Sequence, residues 1–388
     1  MLSTNLFSVP PFCLSFPNLL FTRSTAICII TEEVPIMCDG ARTKLMAPRI
    51  FTRLLCLLLV ALPTQASTLA RIRQTHLLRC GVNQETPEYS TSDDHGPRAA
   101  FDADLCRAVA VAILGPSARV ALVPYPDDIA VMRALRAGRV DLAPTLTLDL
   151  THASAADFAF SPPVLYDGVG FLVPVGEGVT RAEDLSGKKI CFLAETEVEV
   201  ALRTWFSQPA QQNLHFLPFP FQEEGEMEAA FVTGNCAALA GDRTRLASTR
   251  LGFGSRAAQY ALLPGQISDS DDPLAAASRA SDPAFATIVR WTLEVLLQAE
   301  ASGLTQQSIP TIPTDSADPR IAVITGRTHE IGSRLGLDNA WATHVISAVG
   351  NYGEMYERTL GAQSPLRLPR EQNRLQSQGG LHLPIPLK

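Results

Sequence analysis

The sequence lacks an apolar run long enough to cross a bilayer. Its longest, residues 54–62 (LLCLLLVAL), has nine residues, and a spanning helix needs about 20. It also lacks any run of Lys or Arg. With 32 basic against 39 acidic residues the net charge is −7, the wrong sign for neutralising phosphates, which argues against a nucleic-acid partner. The local signatures of catalysis are missing too. There is no G-x-S-x-G, no Walker A, no G-x-G-x-x-G after a strand, no H-E-x-x-H and no C-x-x-C. The seven histidines are scattered, and His329-Glu330 has no second histidine to complete a zinc motif. At 46% hydrophobic and 18% charged, the composition is too apolar for disorder and too charged for a polytopic membrane protein. A globular chain remains, and 388 residues are enough for two domains or one large one.

The short apolar run has an export reading. Arg49 and Arg53 precede it, and Thr64-Gln65-Ala66 follows with small residues at the −3 and −1 positions of a cleavage site. A positive region, an apolar region and a small-residue site make a secretory signal peptide, expected over residues 46–66. Met46 stands just ahead of it, so translation is expected to begin there, with residues 1–45 an untranslated or disordered extension. Cys56 has leucines on both sides rather than the small residues of a lipoprotein signal, so no lipid anchor is expected. Removing residues 1–66 leaves 27 basic and 36 acidic residues, net −9, and four of the eight cysteines: Cys80, Cys106, Cys191 and Cys236. An even number in an exported chain points to two disulfides with three pairings open. Proximity in the chain favours Cys80–Cys106 and Cys191–Cys236.

Strand and helix signals alternate along the rest. Strands are expected at 77–83, 120–123 and 140–142, and helices at 102–114, where Asp102 is placed to cap, and at 128–137. The pattern recurs with strands at 189–193, 215–219 and 236–240 and helices at 195–206 and 224–233. Short apolar runs alternating with helices of this length mean βαβ units and a mostly parallel sheet. Two such modules meet around Tyr166-Asp167-Gly168-Val169-Gly170-Phe171. Asp282-Pro283 then opens an amphipathic helix ending near Gly303, since Asp and Pro make a good first pair for a helix.

Three segments carry a family resemblance: Ala100-Phe101-Asp102-Ala103-Asp104-Leu105-Cys106-Arg107-Ala108-Val109-Ala110, Tyr166-Asp167-Gly168-Val169-Gly170-Phe171, and above all Val349-Gly350-Asn351-Tyr352-Gly353-Glu354-Met355-Tyr356-Glu357-Arg358. With the closing Gln378-Gly379-Gly380-Leu381, the chain from about Leu77 onward resembles the general L-amino-acid-binding proteins of polar amino acid ABC transporters, solute-binding proteins of family 3. The resemblance implies an α/β, type II periplasmic binding protein fold. Two βαβ lobes are joined by two crossing strands and close on the ligand like a hinge, with a helical C-terminal extension. Residues 67–172 would form the first part of lobe 1, 173–267 lobe 2, 268–303 the return to lobe 1 and 304–388 the extension. The resemblance also supports Cys80–Cys106 within lobe 1 and Cys191–Cys236 within lobe 2.

An amino-acid site needs donors for the α-carboxylate, an acid for the α-ammonium and walls for the side chain. The resemblance implies that Asp242 takes the ammonium, although an Asp there could equally cap the next helix. It implies that Thr145 and Thr147 hydrogen-bond the ligand and that Thr196 sits with a helix N-terminus at the carboxylate. The family's carboxylate-binding Arg is missing, and His152 stands at its place. A histidine cannot make the arginine fork. Asp149 stands where the family has Thr, Glu195 where it has Gly and Glu197 where it has a small hydroxyl residue. These acids either modify the ligand or lie at helix N-termini in solvent, where they favour the helix dipole.

Three functions follow as expectations. The first is a periplasmic, monomeric receptor that captures an amino acid and delivers it to an ABC permease in the inner membrane. The second is the same scaffold with a cationic or amine ligand. The third is a binding fold that serves a partner or a sensory role without transport. An enzyme is not expected, nor a cofactor or metal, although Asp149-x-x-His152 could at most contribute to a metal site.

Overall fold

Short strands and amphipathic helices alternate into two α/β lobes. The computed structural model describes residues 67–83, 97–154, 156–265, 267, 272–312, 318–327 and 331–387. The expected signal peptide at 46–66 and the segment before it lie outside the described residues. Among the described residues no helix is long and apolar enough to cross a membrane.

The first lobe opens with α1 (Thr68–Thr75), capped by the Ser67 hydroxyl, which accepts from the Ala70 N–H at 3.2 Å. Next come β1 (Leu77–Asn83), α2 (Pro97–Leu114), β2 (Arg119–Tyr125), α3 (Asp128–Arg136), β3 (Ala143–Thr147), the single turn α4 (Leu150–Ala153) and β4 (Phe158–Asp167). The chain crosses to the second lobe through β5 (Val169–Pro174). There it forms β6 (Lys189–Leu193), α5 (Glu197–Ser207), β7 (Leu217–Phe221), α6 (Glu224–Val232), β8 (Ala238–Asp242), α7 (Arg243–Gly252) and β9 (Tyr260–Leu262). It returns through β10 (Asp272–Arg279) into the long helix α8 (Pro283–Ala301). The Asp282 carboxylate caps α8, accepting from the Phe285 N–H at 3.1 Å, with Pro283 in the first turn.

The sheets are mixed rather than mostly parallel. β1 runs parallel to β2, and β6 parallel to β7 and β8. The crossing strands are antiparallel: β10 lies between β3 and β4, and β5 between β8 and β9. The expected strand at 140–142 is a single bridge from Leu142 to Cys80, and β3 begins at Ala143. The fully buried Asp141 interrupts it, because its carboxylate faces inward onto Arg79 and Arg71. Asp102 does not cap α2, which starts five residues earlier at Pro97. It is buried inside the helix, and its carboxylate accepts from the Thr145 hydroxyl at 2.9 Å.

Period-two alternation packs both faces of the second sheet. Phe171, Ile190, Phe192, Ala238 and Ala240 meet Leu202, Trp205 and Phe206 of α5. Their strand neighbours Leu172, Cys191 and Leu239 meet Met227 and Phe231 of α6 and Leu246 of α7. Each lobe is stapled internally, by Cys80–Cys106 between β1 and α2 and by Cys191–Cys236 between β6 and the approach to β8.

Beyond α8 the chain forms α9 (Pro319–Ile324), α10 (Ile331–Arg334), α11 (Trp341–Val349) and α12 (Tyr352–Thr359), then short 3-10 turns at Glu371–Asn373 and Gln376–Gln378. This extension belongs to the first lobe's core. Trp341, Val345, Tyr352 and Tyr356 pack with Phe101, Leu105 and Val109 of α2 and with Leu293 and Leu296 of α8. The Val349–Arg358 block has local reasons for its residues. Gly350 sits at φ 79°, ψ −168°, a region essentially closed to side chains. Asn351 and Glu354 form a reciprocal capping box on α12, at 2.9 Å each way. Gly353 admits the buried Arg370–Glu300 pair, since a β-carbon there would lie 2.9 Å from Arg370 Nη1.

Candidate ligand-binding cleft

The loops at the carboxyl ends of the strands face one another across a cleft of about 320 Å³, where ligands bind in open α/β sheets. The first lobe contributes Asn83 at the end of β1, Asp128 at the start of α3, Thr147 at the end of β3, and Asp272 and Leu274 from β10. The second lobe contributes Thr196, Glu197 and Val198 at the head of α5, Glu224 and Met227 of α6, Asp242 at the end of β8, and Arg245, Leu246 and Thr249 of α7. Asp167 at the end of β4 completes the wall.

Asp242 is the residue preceding α7, yet its side chain makes no capping hydrogen bond. Asp167, at the end of β4, fills that role. Its carboxylate accepts from the Thr244 N–H at 3.3 Å, from the Thr244 hydroxyl, and from the Gly168 N–H at 2.9 Å. A helix N-terminus leaves backbone N–H groups in need of acceptors. Asp167 supplies one, and Asp242 lines the cleft.

The remaining sequence-predicted residues divide. Thr147, Thr196 and Glu197 line the cleft with Asp242. The Thr196 hydroxyl donates to the Leu193 carbonyl at 2.7 Å rather than to its helix. Thr145, Asp149, His152 and Glu195 do not line it. Thr145 is buried against Asp102. Asp149 caps the short helix α4, accepting from the His152 N–H and facing His152 Nδ1, both at 2.7 Å. Burial pushes the Asp149 carboxyl up, but the bonds from the His152 backbone and ring outweigh it and hold the group below its ordinary value. Glu195 takes φ 60°, the left-handed conformation glycine adopts most readily, at the position where the resemblance has Gly. Its N–H donates to Glu199 at 3.1 Å, and Glu199 forms an ion pair with Arg203 at 2.7 Å. Among the described residues, no group of three or more side chains suits a metal ion.

Sequence reasoning missed Asn83, Asp128, Asp167, Glu224, Arg245 and Asp272. Asn83 and Asp128 meet through an Asn83 Nδ2 to Asp128 Oδ1 hydrogen bond of 2.9 Å. Arg245 and Glu224 form a fork-to-fork pair, Nε to Oε1 at 2.7 Å and Nη2 to Oε2 at 2.5 Å. Glu228, one turn beyond Glu224, has its carboxyl pushed up by burial and by Glu224, against the pull of Thr249 and Arg245. Five of these positions end a strand (Asn83, Asp167) or follow one by three residues (Asp128, Glu224, Arg245), so reading as far as three residues past each strand end would have found them; Asp272 instead opens β10. Among the described lining residues six are carboxylic acids and one is an arginine.

Comparison with known proteins places this geometry. No protein-family model matches the chain. It is 35% identical over 326 residues to the general L-amino acid-binding periplasmic protein AapJ of Rhizobium johnstonii, spanning 83% of this chain and 93% of that one. It is 32% identical over 331 residues to the glutamate/glutamine/aspartate/asparagine-binding protein BztA of Rhodobacter capsulatus, 85% of this chain and 96% of the relative. Among solved structures, an ABC transporter periplasmic binding protein from Brucella ovis with glutathione bound superposes with a TM-score of 0.68 at 32% identity, covering 83% of this chain and all of the other. The two lobes and their crossing strands are the type II periplasmic binding protein fold, and the chain belongs to the family of amino-acid-binding proteins of ABC transporters.

Proposed function

We propose that this protein is an exported, periplasmic and monomeric receptor. It captures an amino acid in the interlobe cleft by hinge closure and passes it to an ABC permease in the inner membrane. One observation carries the reading: Asp242 at the end of β8 and Thr196 at the head of α5 line the same cleft. An acid for the ammonium and a helix N-terminus for the carboxylate are the two poles an amino acid requires. The aliphatic walls from Leu193, Met227, Leu246 and Leu274 suit the ligand's side chain. The relatives at 32–35% identity, two of them named for amino acids and one solved with glutathione bound, support the class of ligand.

The surplus of carboxylates on the lining favours a second reading, a cationic or amine ligand without a free carboxylate. Isothermal titration of residues 67–388, with both disulfides formed, separates the two. The panels are L-amino acids, glutathione and polyamines. Heat with the amino acids or glutathione supports the first reading. Heat with the polyamines alone replaces it with the second. Silence from every panel refutes both and leaves a partner-binding role.

A further inference from the structure

The chain has no arginine at the place where its resemblance expects the carboxylate anchor, and His152, which stands there, is held by Asp149 away from the cleft. The cleft nevertheless holds one guanidinium among its described lining residues, that of Arg245. Asp242 is the residue before α7 and Arg245 lies in its first turn, three residues on. Both line the same cleft. An amino acid presents its ammonium and its carboxylate from one carbon, so an acid and a guanidinium this close in the chain and in the same cleft match both ends.

Arg245 is already shaped around a carboxylate. Its Nε and Nη2 hold both oxygens of Glu224, at 2.7 and 2.5 Å, the planar bidentate geometry in which arginine recognises carboxylates. The two side chains keep 31% and 29% of their surface exposed, so the pair is open to the cleft. Glu224 is the first residue of α6, where the helix dipole favours its charge with or without an arginine. It can therefore give up the guanidinium at small cost. We propose that Arg245 binds the ligand's carboxylate from the second lobe, with Glu224 as the resting partner that the ligand replaces. This assignment rests on the amino-acid reading of the cleft.

The test is a double-mutant cycle read by isothermal titration with the L-amino acid that the wild type binds, on the full exported chain with thermal unfolding as a check of folding. Arg245→Gln should weaken binding by about 10- to 100-fold, the range for losing a hydrogen-bonded charge partner. Glu224→Gln should tighten it by about 2- to 5-fold, because a partly exposed pair no longer competes. The double variant R245Q/E224Q distinguishes the proposal from simple neutralisation. If Arg245 only shields Glu224, removing both restores wild-type affinity and overturns the assignment. If Arg245 holds the carboxylate, the double variant stays as weak as R245Q. Amino-acid binding that R245Q leaves unmoved overturns this inference alone. A wild type that binds only amines overturns the amino-acid reading and the inference with it.

Discussion

At the scale of single residues, charge placement decides what the cleft can hold. Asp167, at the end of β4, caps α7, and Asp242, the residue before that helix, lines the cleft. Asp242→Asn should keep the shape and remove the charge, weakening amino-acid binding by about 10- to 100-fold. Titration calorimetry measures it, and unchanged affinity would remove Asp242 from the site. The place of Asp242 at a strand's end was legible in the sequence. That Asp167 caps α7 was not, because that bond joins residues 77 positions and one lobe apart. The same limit applied at His152, where local alignment could place the residue in the chain but not show that Asp149 turns its ring. His382 makes a second residue-scale prediction. Burial, with a contribution from Arg370, drives its imidazole down from 6.5 to about 3, beside the Tyr352 hydroxyl at 3.1 Å. Above pH 6.5 it is neutral both folded and unfolded, so its contribution is complete there. As the pH falls toward 3 the unfolded chain takes up the proton and the folded one does not, so stability is lost, at up to about 1.4 kcal/mol per pH unit. Raised carboxyls such as Glu294 act in the opposite sense, so the comparison must be with His382→Gln. Its denaturant-measured stability should vary less over this interval, and parallel profiles would refute the prediction.

At the scale of elements, most helices and strands were legible because their faces are packed as their periods require. β1 and β6 have the bounds their apolar runs suggest. Errors fell where a tertiary contact overrode the local pattern, as at Asp141, or at element ends, as at α5, which starts at Glu197 after the left-handed Glu195. The antiparallel crossing strands were not legible, because strand direction depends on which lobe a strand joins. The disulfides are confined to single lobes, closing separations of 26 and 45 residues. In the chain-entropy model each is worth about 3–4 kcal/mol. Cys191→Ser/Cys236→Ser should therefore lower the second lobe's stability by about that amount. The cleft-lining residues of β8 and α7 should still reach the cleft in the folded fraction. Scanning calorimetry measures the loss of stability, and isothermal titration well below the unfolding temperature measures binding. Lost binding without lost stability would show that the bridge positions the site directly.

At the scale of the whole molecule, the extension is a strap across the hinge as well as part of the first lobe's core. Asn373 bonds both backbone groups of Tyr166, near the end of β4 just before the crossing, accepting from its N–H and donating to its carbonyl at 2.8 Å each. Two residues earlier, Glu371 reaches the second lobe. One of its oxygens pairs with Arg243 Nη2 at 3.2 Å and the other accepts from the Gly265 N–H at 3.2 Å. Arg250 of α7 also donates to the Leu366 carbonyl. Arg243 is 4% exposed and directly follows Asp242, so its only charged partner among these contacts ties the extension to the root of the ligand helix. Glu371 itself is held at φ 41°, a conformation retained only where surrounding contacts determine it. Removing a carboxylate from a buried guanidinium costs the remaining charge part of its solvation. Glu371→Ala should thus destabilise the second lobe by about 1–3 kcal/mol, although the residue belongs to the extension. Differential scanning calorimetry provides the readout. The wild type should unfold with its lobes coupled, whereas in the variant the second lobe's transition should move to lower temperature, ahead of the core that contains Tyr352 and Phe101. A variant whose lobes stay coupled at the wild-type midpoint would show that the crossing strands alone carry the connection.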